Sequence, residues 1–124
     1  MCDDSGMTWT VLVVDDHPTF RASARRLLEL EGFQVVGEAA DGESALRLAR
    51  ELEPGLVLLD VGLPDRSGFE VAEELADART RVVLISSRAQ SDLGRRVRES
   101  GALGFISKEQ LSGEALLALL DRAA

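Results

Sequence analysis

The fold is decided by one stretch of the sequence, Leu56-Val57-Leu58-Leu59-Asp60-Val61-Gly62-Leu63-Pro64. Its four leading apolar residues end at a single carboxylate, Asp60, and a glycine and a proline follow closely. A short, unbroken apolar run bounded by Gly and Pro is typical of a strand buried on both faces of a parallel sheet. A charge on the last residue of such a strand would lie at the carboxyl edge of the sheet, where open α/β sheets bind ligands. Asp60 is therefore the first candidate for a reactive residue, although an aspartate after a strand is also a common turn former.

The composition is that of one folded domain. The 124 residues are 45% hydrophobic, 29% charged and only 4% aromatic, which predicts a mostly aliphatic core. The net charge of -8 argues against direct contact with nucleic acid, because phosphate contacts need clustered cations. A single cysteine, Cys2, allows no intramolecular disulfide and suggests a reducing compartment. No apolar run approaches the roughly 18 residues of a membrane span and no signal peptide is visible, so we predict a cytoplasmic protein without membrane contact.

Strand and helix patterns alternate five times, after a leader over residues 1–9. Buried strands are predicted at Thr10–Val14, Leu56–Asp60 and 81–85. A strand with mixed patterning, which suits a sheet edge, is predicted at Gln34–Ala39, and a short fifth strand at Gly104–Ser107. Such alternation predicts a single α/β domain over residues 10–124, with a parallel sheet and helices on both faces.

The intervening segments carry helix signals. Gly32 and Gly101 are expected to end helices, and Asp41 and Ser112 are expected to cap the amino ends of others. A weakly apolar fourth helix is predicted over residues 91–100. The last helix is predicted to bury four leucines: Leu116, Leu117, Leu119 and Leu120.

Polar residues follow the strands that should share one edge. The first strand ends at Asp15 and Asp16, the third at Asp60, the fourth at Ser86, and the fifth is followed by Lys108. Because parallel strands all run the same way, three carboxylates, a hydroxyl and an ammonium group should converge there. Each residue alone has an ordinary structural explanation, but a chance convergence of all five is far less probable.

This set of groups suits phosphoryl transfer. Clustered carboxylates favour a hard cation such as Mg²⁺, which pairs readily with phosphate oxygens. An ionised Asp60 can act as a nucleophile, while Lys108 and Ser86 can supply charge and a hydrogen bond to phosphoryl oxygens.

The pattern resembles the receiver domain of two-component response regulators, and the resemblance extends from about Thr10 to Leu120. It implies a flavodoxin-like five-stranded parallel sheet in the order 2-1-3-4-5. It also implies that Asp60 is the phosphoacceptor and that a sensor histidine kinase or phosphotransfer protein is the donor. Such a domain is not an enzyme in the usual sense, although it assists its own phosphorylation and dephosphorylation.

The resemblance also assigns the other site residues. It implies that Mg²⁺ is held by Asp16, Asp60 and the backbone carbonyl of Gly62, with Asp15 acting largely through water. By the same resemblance Ser86 and Phe105 are switch residues. On phosphorylation Ser86 would move toward the phosphoryl group and the ring of Phe105 would turn inward.

Finer motifs resemble the LuxR-type subgroup, whose members usually carry a carboxyl-terminal helix-turn-helix domain. A DNA-binding domain is therefore expected after this chain if the chain was excised from a longer regulator, and a stand-alone receiver is the alternative. A homodimer on phosphorylation is also expected, through the fourth helix, fifth strand and fifth helix or through the first and fifth helices. The motifs are Asp15-Asp16-His17-Pro18, Leu63-Pro64-Asp65-x-x-Gly68 and Gly101-Ala102-x-Gly104-Phe105-x-x-Lys108.

Several positions depart from the commonest family pattern. Phe105 stands where tyrosine is frequent, and Glu109 stands where proline is frequent, so a trans bond is expected after Lys108. Gly62 and Arg88 flank the phosphoryl group in the family.

Three other functions would share part of this pattern. An aspartate-nucleophile phosphatase of the haloacid dehalogenase type needs a second acid two residues after Asp60, where this chain has Gly62. A flavin-binding flavodoxin needs a phosphate loop where this chain has Asp15 and Asp16, which would repel phosphate. A pseudo-receiver that only binds partners would not need the acceptor positions to be filled. His17, the single histidine, is expected to start the first helix rather than to bind metal.

Overall fold

Five parallel strands form the centre of the molecule in the computed structural model, which describes residues 9–75, 80–87 and 94–123. The predicted leader therefore lies outside the described residues except for Trp9, as do Cys2 and Arg88. The strands are β1 (Thr10–Val14), β2 (Gln34–Ala39), β3 (Leu56–Asp60), β4 (Arg81–Ser86) and β5 (Gly104–Ser107). The helices are α1 (Pro18–Leu30), α2 (Gly42–Leu52), α3 (Gly68–Leu75), α4 (Gly94–Glu99) and α5 (Gly113–Ala123), with a 3-10 turn over Lys108–Gln110.

The sheet has the strand order β2-β1-β3-β4-β5. This confirms the predicted order 2-1-3-4-5 and the parallel direction of every pair. The register places Asp60 opposite Ile85 and Ser86 opposite Ser107, so the carboxyl ends of β3, β4 and β5 lie side by side. The polar residues that follow these strands consequently share one edge.

Alternate residues of β1, β3, β4 and β5 enter two separate cores. Val57 and Leu59 pack under α2, α3 and α4, whereas Leu56 and Leu58 pack under α1 and α5. All five residues of β3 are buried, which explains why its sequence is apolar without alternation. A fully covered central strand also holds the backbone of Asp60 in a fixed position.

Helix ends follow the local signals in the sequence. Gly32 and Gly101 have positive φ angles of 96° and 84°, which a glycine adopts without strain. The Asp41 side chain accepts a hydrogen bond from the Ser44 amide at 2.8 Å, and the Ser112 hydroxyl accepts one from the Ala115 amide at 3.0 Å. The expected caps of α2 and α5 are thereby confirmed.

Two details of the helices correct the sequence predictions. Leu117 was expected in the buried face of α5 but is 43% exposed, because the stripe centred on Leu116 and Leu120 leaves it about 100° to one side. The helical spacing of Ala45, Leu48, Ala49 and Leu52 predicts one apolar stripe on α2, but Leu52 is 39% exposed at the last residue of that helix. The described part of the fourth helix covers Gly94–Glu99, and the start predicted near residue 91 lies outside the described residues.

The remaining backbone features agree with the sequence. No cis peptide bond occurs among the described residues, so the bond between Lys108 and Glu109 is trans as expected. Within the same ranges, no helix combines the length and the apolar character needed to cross a membrane.

Candidate functional site at the carboxyl edge of the sheet

Three carboxylates and one ammonium group meet at the carboxyl edge of the sheet. Asp15 is fully buried, Asp60 is 5% exposed, and Asp16 is partly exposed beside them. Lys108 extends its Nζ to 2.6 Å from Oδ2 of Asp15 and to 3.5 Å from Oδ2 of Asp60. The structure thus brings together the carboxylates and the cation that strand direction predicted.

Burial raises the pKa of the Asp60 carboxyl above its ordinary value of 3.8, and the negative charge of Asp15 adds to this effect. Two groups act in the opposite direction. The Gly62 amide donates a hydrogen bond to Oδ1 of Asp60 at 3.2 Å, and the ammonium of Lys108 attracts the ionised form. The edge therefore holds negative charge that its own cation only partly balances.

The turn after β1 holds Asp15 firmly by both its side chain and its backbone. Oδ1 of Asp15 accepts a hydrogen bond from the His17 amide at 2.8 Å, and the Asp15 amide donates to the Ala39 carbonyl at 3.0 Å. The Asp15 carbonyl accepts a hydrogen bond from Nη1 of Arg21 at 2.6 Å, and Glu38 accepts one from Nε of the same guanidinium at 3.2 Å. These bonds fix the acidic turn against α1 and the end of β2.

His17 begins α1 as expected, since it occupies the N-cap position before Pro18. Its exposed ring also lies on the acidic turn, with Nδ1 at 3.0 Å from Oδ1 of both Asp15 and Asp16. Contact with the carboxylates was not predicted from the sequence.

The loop between β3 and α3 is closed by its own backbone and tied to α2. Gly62 and Ser67 form an antiparallel bridge, and the Gly68 amide donates to the Val61 carbonyl at 2.8 Å. A side chain at Gly68 would clash with the carbonyl of Asp60, so the loop can turn this tightly only with glycine there. Gly62 itself is exposed, and a β-carbon added there would meet open space.

Asp65 connects the same loop to the start of α2. Its carboxylate accepts hydrogen bonds from the amides of Gly42 at 2.8 Å and Glu43 at 3.1 Å, which are the first two residues of that helix. These bonds hold the pKa of Asp65 below its ordinary value. Sequence reasoning missed this contact because the partners are more than twenty residues apart; the only available signal was an acidic residue in a loop.

The two predicted switch residues lie on β4 and β5. Ser86 is the last residue of β4 and is 5% exposed, beside the strand end that carries Asp60. Phe105 is 8% exposed and packs in the core under α2, α3 and α4. The Phe105 side chain is therefore already buried in this structure.

The donor set is suited to a hard cation. Asp15, Asp16, His17 and Asp60 each offer one ligand atom, and these atoms all lie within 4.8 Å of one another. Oδ1 of Asp16 is shielded from solvent and accepts no hydrogen bond from any of the described residues, although the His17 ring lies close by. Buried carboxylate oxygens with unused lone pairs fit Mg²⁺, which prefers oxygen ligands.

Comparison with known proteins agrees with the geometry. The family described as the response regulator receiver domain matches residues 11–121. The chain belongs to this family. The match spans both cores and every predicted site residue, and it favours the receiver interpretation over the phosphatase and flavodoxin alternatives.

Individual relatives place this receiver domain in two-component signalling. The response regulator GacA of Pseudomonas aeruginosa is 41% identical over 101 residues, which are 79% of this chain and 47% of GacA. The solved structure of a two-component response regulator of the LuxR family from Aurantimonas sp. is 35% identical with a TM-score of 0.80, covering 94% of this chain and 84% of that one. A chain of the CheX-CheY-BeF3-Mg²⁺ complex from Borrelia burgdorferi is 27% identical with a TM-score of 0.83, covering 97% and 92%.

The likeness to LuxR-type regulators predicted from the motifs is thereby confirmed. The chain spans about half the length of the curated relatives it matches.

Proposed function

We propose that Asp60 is the phosphoacceptor of this receiver domain, with a sensor histidine kinase or a phosphotransfer protein as the donor. The observation that carries the proposal is the position of the Asp60 carboxylate. It lies at the end of a fully buried strand, 3.5 Å from Nζ of Lys108 and beside two further carboxylates. A carboxylate used only to cap a loop would not need a buried cation and an acidic cluster around it.

In the proposed reaction one oxygen of ionised Asp60 attacks the phosphorus of a phosphohistidine. The new O–P bond forms as the P–N bond breaks, and the electron pair of that bond goes to the imidazole nitrogen, which takes a proton from solvent. The ammonium of Lys108 balances charge on the phosphoryl oxygens, and the hydroxyl of Ser86 donates a hydrogen bond to one of them. The Gly62 amide keeps the carboxylate oriented through Oδ1.

Asp15, Asp16, Asp60 and the carbonyl of Gly62 would hold Mg²⁺. Held there, the ion would supply positive charge to offset the negative charge of the phosphoryl oxygens. The bonds of Asp15 to His17 and of its carbonyl to Arg21 keep the acidic turn in place for this role. The likeness of this chain to the Borrelia burgdorferi complex, which includes both BeF3 and Mg²⁺, supports the assignment.

We further propose that the phosphorylated domain signals through Ser86 and Phe105 to an output. The relatives are about twice as long as this chain, and the LuxR-type likeness supports a DNA-binding output domain, with a homodimer of the phosphorylated form. This domain would then make no contact with DNA itself. The proposed site of action is the cytoplasm, where a histidine kinase presents its phosphoryl group.

The test is phosphorylation by acetyl phosphate, followed by intact mass measurement. We expect the wild type to gain one phosphoryl group in the presence of Mg²⁺ and none after chelation with EDTA. Asp60→Asn should gain none, because the amide is not a nucleophile. Asp121→Asn, which neutralises an exposed carboxylate on α5, is the matched control and should react like the wild type. Modification that persists in Asp60→Asn would contradict the proposal.

A further inference from the structure

The ammonium of Lys108 has an aromatic neighbour as well as two carboxylates. Its Nζ lies 4.7 Å from the centroid of the Phe20 ring. Lys108 is only 15% exposed, so most of its surface is in contact with protein. The helical spacing of Phe20, Ala24, Leu27 and Leu28 predicts only that Phe20 belongs to the apolar stripe of α1, and the proposed reaction does not use it.

We propose that Phe20 is a positioning residue for Lys108: the face of its ring holds the ammonium between Asp15 and Asp60. This inference rests on the proposed function, because it concerns the ammonium that would balance the charge of the phosphoryl oxygens. Phe20 would touch neither the phosphoryl group nor the metal and would act only through Lys108.

The physical basis is the charge distribution of the ring. The face of a phenyl ring is negative and attracts a cation within about 6 Å of its centroid, and the attraction is stronger when the cation is poorly hydrated. An aliphatic side chain of similar size could fill the same space but would offer no such attraction. The contact therefore selects an aromatic residue at this position.

The ring itself is held in place by the start of α1. Phe20 lies two residues after Pro18, whose ring fixes the backbone at the first helical position. The side chain is half-buried and packs against the core under α1 and α5, which includes Leu116. A fixed ring restricts a lysine side chain that would otherwise have many rotamers.

The restriction matters because Lys108 has two anionic neighbours at different distances, 2.6 Å for Asp15 and 3.5 Å for Asp60. If the Lys108 side chain were free to turn toward Asp15 or into solvent, its ammonium would have to return to Asp60 before each reaction. A cation already held beside the reacting group costs no reorganisation at that moment. Losing Phe20 should consequently slow phosphorylation without removing Asp60 or its metal ligands.

The experiment measures the rate of phosphorylation by acetyl phosphate at saturating Mg²⁺ in three variants. Phe20→Leu keeps the apolar bulk but removes the ring, and we expect the rate to fall about fivefold, the equivalent of one partly desolvated cation–π contact. Phe20→Tyr keeps the aromatic face and should remain within about twofold of the wild type. Leu27→Ala removes a partly buried side chain of the same helix and is the control for general loosening of α1. It should keep the wild-type rate at a temperature where it is folded.

A second readout observes the contact directly. The ε-methylene protons of Lys108 should show an upfield ring-current shift by NMR in the wild type and in Phe20→Tyr, and that shift should be lost in Phe20→Leu. Equal rates in Phe20→Leu and the wild type, or an equal loss in Phe20→Leu and Phe20→Tyr, would overturn the proposal. A wild type that is never phosphorylated would instead overturn the proposed function, and the NMR shift would still decide whether the ring holds the ammonium.

Discussion

At the amino edge of the sheet, neutral hydrogen bonds join neighbouring strands, whereas the carboxyl edge of the same sheet concentrates buried charge. At the amino edge the Trp9 carbonyl accepts from the Gln34 amide at 2.9 Å, and the Gly55 amide donates to Oγ1 of Thr10 at 2.8 Å. Arg81 stacks on Trp9, with its guanidinium 5.3 Å from the ring centroid. No ligand is needed to satisfy any of these groups.

The carboxyl edge has the opposite balance. Asp15 and Asp60 are buried next to each other, and Lys108 is shared between them. Burying charge costs free energy unless an opposite charge compensates for it. The amino edge of the sheet is therefore stabilised by its own contacts, whereas the stability of the carboxyl edge depends on a cation. Unfolding experiments can measure this difference.

The largest expected effect comes from removing the ammonium at the carboxyl edge. Lys108→Met keeps most of the side-chain volume but leaves Asp15 and Asp60 without their shared cation. We expect the free energy of unfolding without Mg²⁺ to fall by about 3–5 kcal/mol, as is usual when one partner of a buried ion pair is lost. Urea unfolding measures the loss. If the acidic cluster binds Mg²⁺ as proposed, added Mg²⁺ should restore part of the stability, because a ligand that binds the folded state and not the unfolded chain stabilises the fold.

The control for this variant is Lys108→Arg, which keeps a positive charge and should lose much less stability. If Lys108→Met without Mg²⁺ were as stable as the wild type, the stability of the carboxyl edge would not depend on its cation. The two edges would then not differ in this respect.

The next largest effect concerns the amino edge. Trp9→Ala removes a half-buried ring and its contact with Arg81, and we expect a loss of roughly 2 kcal/mol in the free energy of unfolding. Stabilisation by Mg²⁺ and the rate of phosphorylation should not change, since the ring lies at the far end of the strands. Trp9→Phe keeps an aromatic face and is the matched variant. A Trp9→Ala protein with altered Mg²⁺ affinity would show that the two edges are coupled.

The sequence predicted those features of the molecule that depend on local pattern. The predicted bounds of β1, β2, β3 and β5 were correct. The central strands β1 and β3 were the simplest to predict, because strands buried on both faces must be apolar and end where polar residues begin. The convergence of Asp15, Asp60 and Lys108 followed from strand direction alone. The prediction that Leu117 is buried was wrong, because four leucines in five positions cannot all lie on one face of a helix.

Contacts between distant segments could not be predicted in this way. The cap that Asp65 provides for α2 and the ring of Phe20 against Lys108 depend on how helices sit on the sheet. Neither contact has a sequence spacing that would indicate it. These are the contacts that support the site, so the convergence of its charged residues was easier to predict than the contacts that hold them in place.

The smallest expected effect is a gain of stability at the carboxyl edge. Asp60→Asn removes a buried charge but leaves Lys108 paired with Asp15 at 2.6 Å. Without Mg²⁺ we expect the free energy of unfolding at neutral pH to rise by about 1 kcal/mol, since the cost of desolvating the charge and its repulsion with Asp15 are removed.

Because burial raises the pKa of Asp60 in the folded state, the folded protein binds more protons than the unfolded chain above pH 3.8. Ionisation of Asp60 thus makes wild-type stability decline as pH rises through its folded pKa, and this contribution should be absent in Asp60→Asn. Urea unfolding of both proteins across this pH range in EDTA measures the difference, and Asp121→Asn, exposed on α5, should follow the wild-type curve. If the wild type were as stable as Asp60→Asn at every pH, the charge of Asp60 would carry no free-energy cost, and the carboxyl edge would be as well compensated as the amino edge.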